Sequence, residues 1–69
     1  MKERTPERFG MRLKAERKKK HLSQAALAEQ LGVSREYVAR LEAGVHDPPL
    51  STVVKLAKLL KVKVSKLVE

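Results

Sequence analysis

Apolar residues recur along this chain at spacings of three and four, which is the period of an α-helix. In the first such segment Phe9, Leu13 and Arg17 share one stripe, so an arginine takes the third inward position and needs an acidic partner. The predicted helices cover residues 6–20, 24–31, 35–43 and 50–60, with a short fifth helix within residues 64–69 that Ser65 would cap. The pattern predicts an all-α fold of four to five helices. Its fourth helix has a broad apolar face that we expect in the core, formed by Leu50, Val53, Val54, Leu56, Ala57 and Leu60.

Capping residues set the boundaries of these helices. Thr5 before Pro6 is typical of a helix start, and Ser23 and Ser34 are the expected N-caps of the second and third helices. Gly32 and Gly44 should end those two helices, and we expect His21 to adopt the left-handed conformation after the first helix. Because only three residues separate the second helix from the third, the two must meet at a sharp angle, as in a helix-turn-helix unit at about residues 23–44.

The third helix presents a wide polar face with only two large aliphatic residues opposite it. At about 100° per residue, Val38 and Leu41 point inward and Tyr37 lies at the edge. The outward arc holds Arg35, Glu36, Ala39, Arg40 and Ala43. Such a face could enter a DNA major groove, where arginine pairs with guanine and glutamate accepts from cytosine N4. It could equally be a solvated surface with a weak Glu36–Arg40 ion pair.

The net charge of +8 points to a polyanionic partner, and nucleic acid is the first candidate. The charge is unevenly spread, at +6 over residues 1–22, −2 over residues 23–49 and +4 over residues 50–69. Basic flanks around a more acidic centre suit a protein whose flanks hold phosphates while its centre makes selective contacts. The alternative is a basic surface that serves solubility.

Several classes of function are disfavoured. At 69 residues we expect one domain over residues 1–69. The chain has no cysteine, two isolated histidines (His21 and His46) and no Ser-His-Asp set or glycine-rich phosphate loop, so we expect no metal site, no cofactor and no catalysis. It also lacks an apolar signal segment and a run long enough to cross a bilayer, which indicates a cytoplasmic protein without a membrane partner.

The segment from Leu22 to Gly44, LSQAALAEQLGVSREYVARLEAG, resembles the lambda-repressor and Cro-type (XRE-like) helix-turn-helix family. Further matching positions extend from Phe9-Gly10 to Leu56-Ala57. The resemblance implies a compact lambda-repressor-like DNA-binding domain. By position it implies an ion pair between Arg17 and Glu42 that links the first helix to the end of the third. It also implies these DNA-binding residues: Gln24, Ser34, Arg35, Glu36, Tyr37 and Arg40.

The same resemblance implies a sequence-specific transcriptional regulator of double-stranded DNA, a repressor, that acts as a homodimer on a near-palindromic operator. The apolar candidates for the dimer interface are Leu60, Val62, Val64, Leu67 and Val68, which could instead complete the monomer core. Generic phosphate contacts would come from Arg4, Arg8, Lys18, Lys19 and Lys20. The rival function is an antitoxin-like or bridging module that uses the same fold to hold a protein partner.

Overall fold

The structure is a computed structural model that describes residues 5–68, and within that range it contains α-helices and no strand. The helices are α1 (Pro6–Lys19), α2 (Gln24–Leu31), α3 (Arg35–Ala43), α4 (Leu50–Leu60) and α5 (Val64–Val68). The all-α prediction with a helix-turn-helix is therefore confirmed. The predicted bounds of α2, α3 and α4 agree with the structure, and α1 ends one residue before the predicted Lys20.

Side-chain caps start the first three helices where the sequence predicts them. The Thr5 hydroxyl accepts a hydrogen bond from the Arg8 amide at 3.1 Å. Ser23 accepts from the Ala26 amide at 2.9 Å, and Ser34 accepts from an amide in the first turn of α3 at 3.1 Å. Each cap satisfies one of the amide groups that a helix start leaves without an intrahelical partner. The expected cap at Ser65 is wrong, because Ser65 lies inside α5, which begins at Val64.

Left-handed residues end the helices. His21 has φ of +58°, its amide donates to the Lys18 carbonyl at 3.0 Å, and the Leu22 amide donates to the Arg17 carbonyl at 3.2 Å. This pair of bonds is the Schellman arrangement. Gly32, which ends α2, also has a positive φ, of +82°. The backbone therefore reverses without strain before α3, which fixes the angle between the two helices of the unit.

The core lies where α1 packs on α3 and α5, α2 packs on α3 and α4, and α4 packs on α5. Its buried apolar side chains are Phe9, Leu13, Leu27, Ala28, Leu31, Val38, Leu41, Val53, Leu56, Ala57, Leu60 and Leu67. Two predicted members lie outside this core: Leu50 is 65% exposed and Val54 is half-buried. Leu50 is the first residue of α4, at the end of its apolar stripe, and its side chain meets solvent. None of the helices in residues 5–68 is long and apolar enough to span a bilayer.

The crossing of α1 and α3 depends on Gly10. A Cβ atom at this position would lie 2.5 Å from the Leu41 carbonyl oxygen and 2.6 Å from the Glu42 carbonyl oxygen. Only a residue without a side chain allows the two backbones to approach this closely. The last turn of α3 therefore packs directly against α1 at Gly10.

Candidate nucleic-acid interface

One surface of α3 is polar and solvent-facing while the other is buried. Val38 and Leu41 are fully buried, whereas Arg35, Glu36 and Arg40 are exposed. Of the two alanines in the arc, Ala43 is exposed and Ala39 is half-buried. The short alanine side chains keep the middle of the arc low, so the longer side chains project beyond it. This is the shape that a helix needs to enter a major groove.

The charged side chains of this arc are held only weakly within the protein. Among the described residues, Glu36 has its ion-pair contact with Arg35, at 4.0 Å between Nη2 and Oε2, and the Glu36–Arg40 pair is not formed. Both partners are more than half exposed, so water screens the attraction and the contact adds little to folding. The three side chains are therefore available to an external partner. The Glu36–Arg40 pair that the alternative of a solvated surface included is not formed, but the exposure of these side chains fits a solvated surface as well as a binding surface.

Tyr37 borders the arc and contacts a residue that the sequence pattern did not connect with it. Its ring is half-buried and meets the His46 ring edge to face, with centroids 5.1 Å apart and planes at 68°. His46 lies in the connection between α3 and α4 and is exposed. The contact fixes this connection against the side of α3. Sequence reasoning considered His46 only in disfavouring a metal site and catalysis, and no local signal indicates the ring contact.

Behind the arc, a buried hydrogen-bond network joins three helices. Arg17 Nε donates to Glu42 Oε2 at 2.6 Å and Arg17 Nη2 donates to Glu42 Oε1 at 3.1 Å, so the pair is bidentate. The Arg17 side chain is 9% exposed and the Glu42 side chain 3% exposed. Arg17 Nη1 also donates to the Leu22 carbonyl at 2.6 Å, and Gln24 Nε2 donates to Glu42 Oε1 at 3.0 Å. The network thus connects α1, the start of α2 and the end of α3.

Glu42 stabilises the positive charge on Arg17. The hydrogen bonds that Arg17 donates to Glu42 raise the pKa of the guanidinium above its ordinary value, and the nearby carboxylate charge acts in the same direction. Burial acts to lower that pKa, but its effect is smaller. Arg17 and Glu42 are consequently brought together as a charged pair, at the inward position where the sequence pattern placed an arginine.

Gln24, in the network behind the arc, and Ser34, the N-cap of α3, each have part of their hydrogen-bonding capacity in use. Gln24 is half-buried at the first turn of α2, and its Nε2 group has a second N–H beyond the one given to Glu42. The Ser34 oxygen accepts the capping bond, and its hydroxyl hydrogen can still donate. Both side chains can therefore donate a hydrogen bond to an acceptor such as a phosphate oxygen.

A lysine-rich segment forms the end of α1 and its C-cap. Lys18, Lys19 and Lys20 are exposed, and Lys19 Nζ lies 3.3 Å from Glu16 Oε2. Arg8, near the other end of α1, is half-buried, and Arg4 lies outside the described residues.

Residues 5–68 contain no group of three or more histidine and acidic side chains that could hold a metal ion.

Comparison with known proteins gives similarities over most of the chain. The model of a helix-turn-helix family matches residues 13–67. The immunity repressor protein of Bacillus phage phi105 is 42% identical over 59 residues, which make up 86% of this chain and 41% of that protein. The chain therefore spans under half the length of this relative.

Two solved structures show the same architecture in different settings. The restriction-modification controller protein C.AhdI from Aeromonas hydrophila is 37% identical, with a TM-score of 0.84 and 90% of each chain covered. Hydroxypropylphosphonic acid epoxidase from S. wedmorenis is 28% identical, with a TM-score of 0.90, over 99% of this chain and 36% of that enzyme. Because the fold occurs in a controller protein and within a larger enzyme, function has to be argued from the surface of α3.

Proposed function

The chain belongs to the helix-turn-helix family, whose model matches residues 13–67, and from that membership and the geometry of α3 we propose that it is a transcriptional regulator that binds double-stranded DNA sequence-specifically. In this proposal residues 1–69 form one DNA-binding domain with the helix-turn-helix at about residues 23–44. The observation that carries it is the outer arc of α3. Three charged side chains stand exposed there on a helix whose other face is buried and whose end is fixed by Glu42.

Base recognition is assigned to Arg35, Glu36 and Arg40. Each arginine has the donor pair that matches guanine O6 and N7, and Glu36 can accept from cytosine N4. These assignments predict that each half-site of the DNA contains G·C pairs. Ser34, the N-cap of α3, is assigned to the groove beside these residues. Gln24 and Tyr37 are assigned to the sugar-phosphate backbone, which positions the helix without selecting sequence.

Phosphate contacts outside the helix-turn-helix are assigned to Lys18, Lys19, Lys20, Arg8 and Arg4. Each neutralised phosphate releases counterions, so affinity should fall as the salt concentration rises. In a plot of the logarithm of the binding constant against the logarithm of the salt concentration, each contact should contribute about −0.9 to the slope. Removing one contacting lysine should reduce that slope by about one without changing the preferred sequence.

The regulator is proposed to be a repressor that acts as a homodimer. The similarity to a phage immunity repressor supports repression. A single recognition helix contacts few base pairs, and two copies on half-sites about 34 Å apart would contact enough for specificity. Of the apolar interface candidates, Leu60 and Leu67 are fully buried in the monomer and are withdrawn. Val62, Val64 and Val68 remain, since they are half-buried at the surface of the core.

The proposal is tested by selection from a random duplex library at near-physiological salt, followed by measurement of affinity for the selected site. The double variant Arg35→Ala plus Arg40→Ala should lose at least about 30-fold in affinity, since each good bidentate base contact gives about 1 to 3 kcal/mol of discrimination. It should melt within a few degrees of the wild type, because both side chains are exposed.

The matched control is Lys55→Ala plus Lys58→Ala, which removes the same charge from an exposed face of α4. This control should bind the selected duplex within about threefold of the wild type, as expected of charges remote from the groove. Selection that yields no preferred sequence would overturn the proposal. Equal losses of affinity for the duplex in the two double variants would show that the protein binds DNA through its charge alone.

A further inference from the structure

A small cleft between α2 and α4 has no part in the proposed DNA interface. It is lined by Gln30, Leu31, Lys55, Lys58 and Leu59. α4 packs on α2 and α5, while α3 packs on α1 and α2, so none of the groove-facing side chains of α3 lines this cleft. A ligand could therefore occupy it while α3 is bound to DNA.

The floor of the cleft is aliphatic and its rim is cationic. Leu31 is 7% exposed and Leu59 is half-buried, whereas Lys55 and Lys58 are exposed one helical turn apart on α4. Within residues 5–68 no carboxylate lies within ion-pair distance of either lysine. The surrounding chain adds to the positive field, because residues 50–68 carry five lysines and no acidic residue.

Size and chemistry restrict the occupant. The cleft measures about 240 Å³, which is below the roughly 300 to 1,000 Å³ typical of small-molecule and cofactor sites. It suits one or two aliphatic side chains. A nucleic-acid backbone would satisfy the lysines but would leave the leucine floor uncovered. An acidic helical peptide would satisfy both, with a leucine-like side chain in the cleft and carboxylates on the lysines.

We infer that this cleft docks an acidic, amphipathic helical segment of another protein, which inserts an aliphatic side chain between Leu31 and Leu59 and pairs its carboxylates with Lys55 and Lys58. The basis is charge complementarity around an apolar floor that no side chain of the described chain covers. The inference does not depend on DNA binding. A regulator with such a site would receive a protein signal on a face that leaves its recognition helix free.

The test uses the full chain and a short fluorescent peptide of glutamate and leucine, with leucines four residues apart and glutamates on either side. Binding is followed by polarisation, and the contact site by chemical-shift changes of the Leu31 and Leu59 methyl groups. We expect saturable binding that shifts both sets of methyl groups. Lys55→Glu plus Lys58→Glu should weaken the peptide at least about tenfold, because like charges then face each other across the contact.

Two controls separate docking from bulk charge. Lys63→Glu plus Lys66→Glu makes the same change in net charge outside the cleft and should alter peptide affinity by no more than about twofold, as expected of screened charges. Gln30→Trp leaves the charge unchanged and fills the rim of the cleft, so it should weaken the peptide as strongly as the charge reversal at Lys55 and Lys58. Circular dichroism melting confirms that each variant is folded.

Several outcomes would overturn the inference. One is equal binding of a control peptide in which serine replaces leucine, because the aliphatic floor would then be irrelevant. A second is stronger displacement of the same methyl resonances by an oligothymidylate, which would make the surface a nucleic-acid contact. The absence of saturable peptide binding, or equal losses in the two charge-reversal variants, would also reject it. None of these outcomes changes the result of duplex selection.

Discussion

Replacement of Glu42 by alanine should destabilise the protein far more than replacement of Glu36, although both residues are glutamates on α3. Glu42 accepts two hydrogen bonds from Arg17 and one from Gln24, and its side chain is 3% exposed. Its removal leaves a buried guanidinium without its counterion, and arginine cannot relieve the cost by losing its proton. Glu36 is 67% exposed and has one contact, at 4.0 Å.

The magnitude follows from the contacts that are lost. Breaking one partner of a buried ion pair costs about 3 to 5 kcal/mol. The lower end applies here, because Arg17 keeps its bond to the Leu22 carbonyl. A chain of this length has a total stability of roughly 3 to 10 kcal/mol, so the loss is a third of it or more. The melting temperature of Glu42→Ala should fall by about 12 to 24 °C, and that of Glu36→Ala should move by less than about 4 °C.

The stabilities of Glu42→Ala and Glu36→Ala are measured by thermal and urea unfolding, monitored by circular dichroism. A double-mutant cycle that includes Arg17→Met isolates the contribution of the Arg17–Glu42 pair. The cycle comprises the single variants Arg17→Met and Glu42→Leu and the double variant that combines them, which should be more stable than either single variant, with a coupling energy of about 1 to 3 kcal/mol. Additive effects, or a smaller loss for Glu42→Ala than for Glu36→Ala, would refute this account of the network.

Three further predictions concern backbone geometry and assembly. Gly10→Ala should cost about 1 to 3 kcal/mol, against the helix propensity of alanine, because the new Cβ meets two α3 carbonyls; a raised melting temperature would contradict this. Lys61→Gly should raise the unfolding free energy by about 0.5 to 1 kcal/mol, since φ is +57° at Lys61, and an unchanged or lower urea midpoint would argue against left-handed strain there. Val68→Lys should raise the dimer dissociation constant at least about tenfold in sedimentation equilibrium with operator DNA, whereas Met11→Lys should not, and the reverse pattern would move the interface to α1.

Local signals explain why most helix boundaries were predictable. Ser23 and Ser34 satisfy amides within their own first turns, and Gly32 and Gly44 supply the left-handed backbone that ends a helix. These effects depend on the neighbouring three or four residues, so the sequence contains them directly. At α5 the local signal was misleading. The Lys63 carbonyl accepts from the Lys66 amide at 2.9 Å, so the helix begins before the serine that was expected to cap it.

Contacts between distant residues were less accessible to local reasoning. The inward position of Arg17 indicated that it needs an acidic partner, but the choice of Glu42, 25 residues away, rested on the family resemblance. The exposure of Leu50 and the burial of Leu67 depend on how α4 and α5 pack on the rest of the molecule, which periodicity alone does not specify. The cleft between α2 and α4 also arises only from packing, as does the contact between Tyr37 and His46.

The weak attachment of Arg35, Glu36 and Arg40 to the rest of the molecule has an evolutionary consequence. Their exchange leaves the apolar interior, the helix caps and the Arg17–Glu42 pair untouched, so substitutions at these positions are expected to be nearly neutral for folding. If DNA is recognised as proposed, preference for a target sequence and thermodynamic stability are encoded in separate sets of residues. A descendant of this chain could then acquire a new target by changing a few surface side chains, without compensating mutations elsewhere.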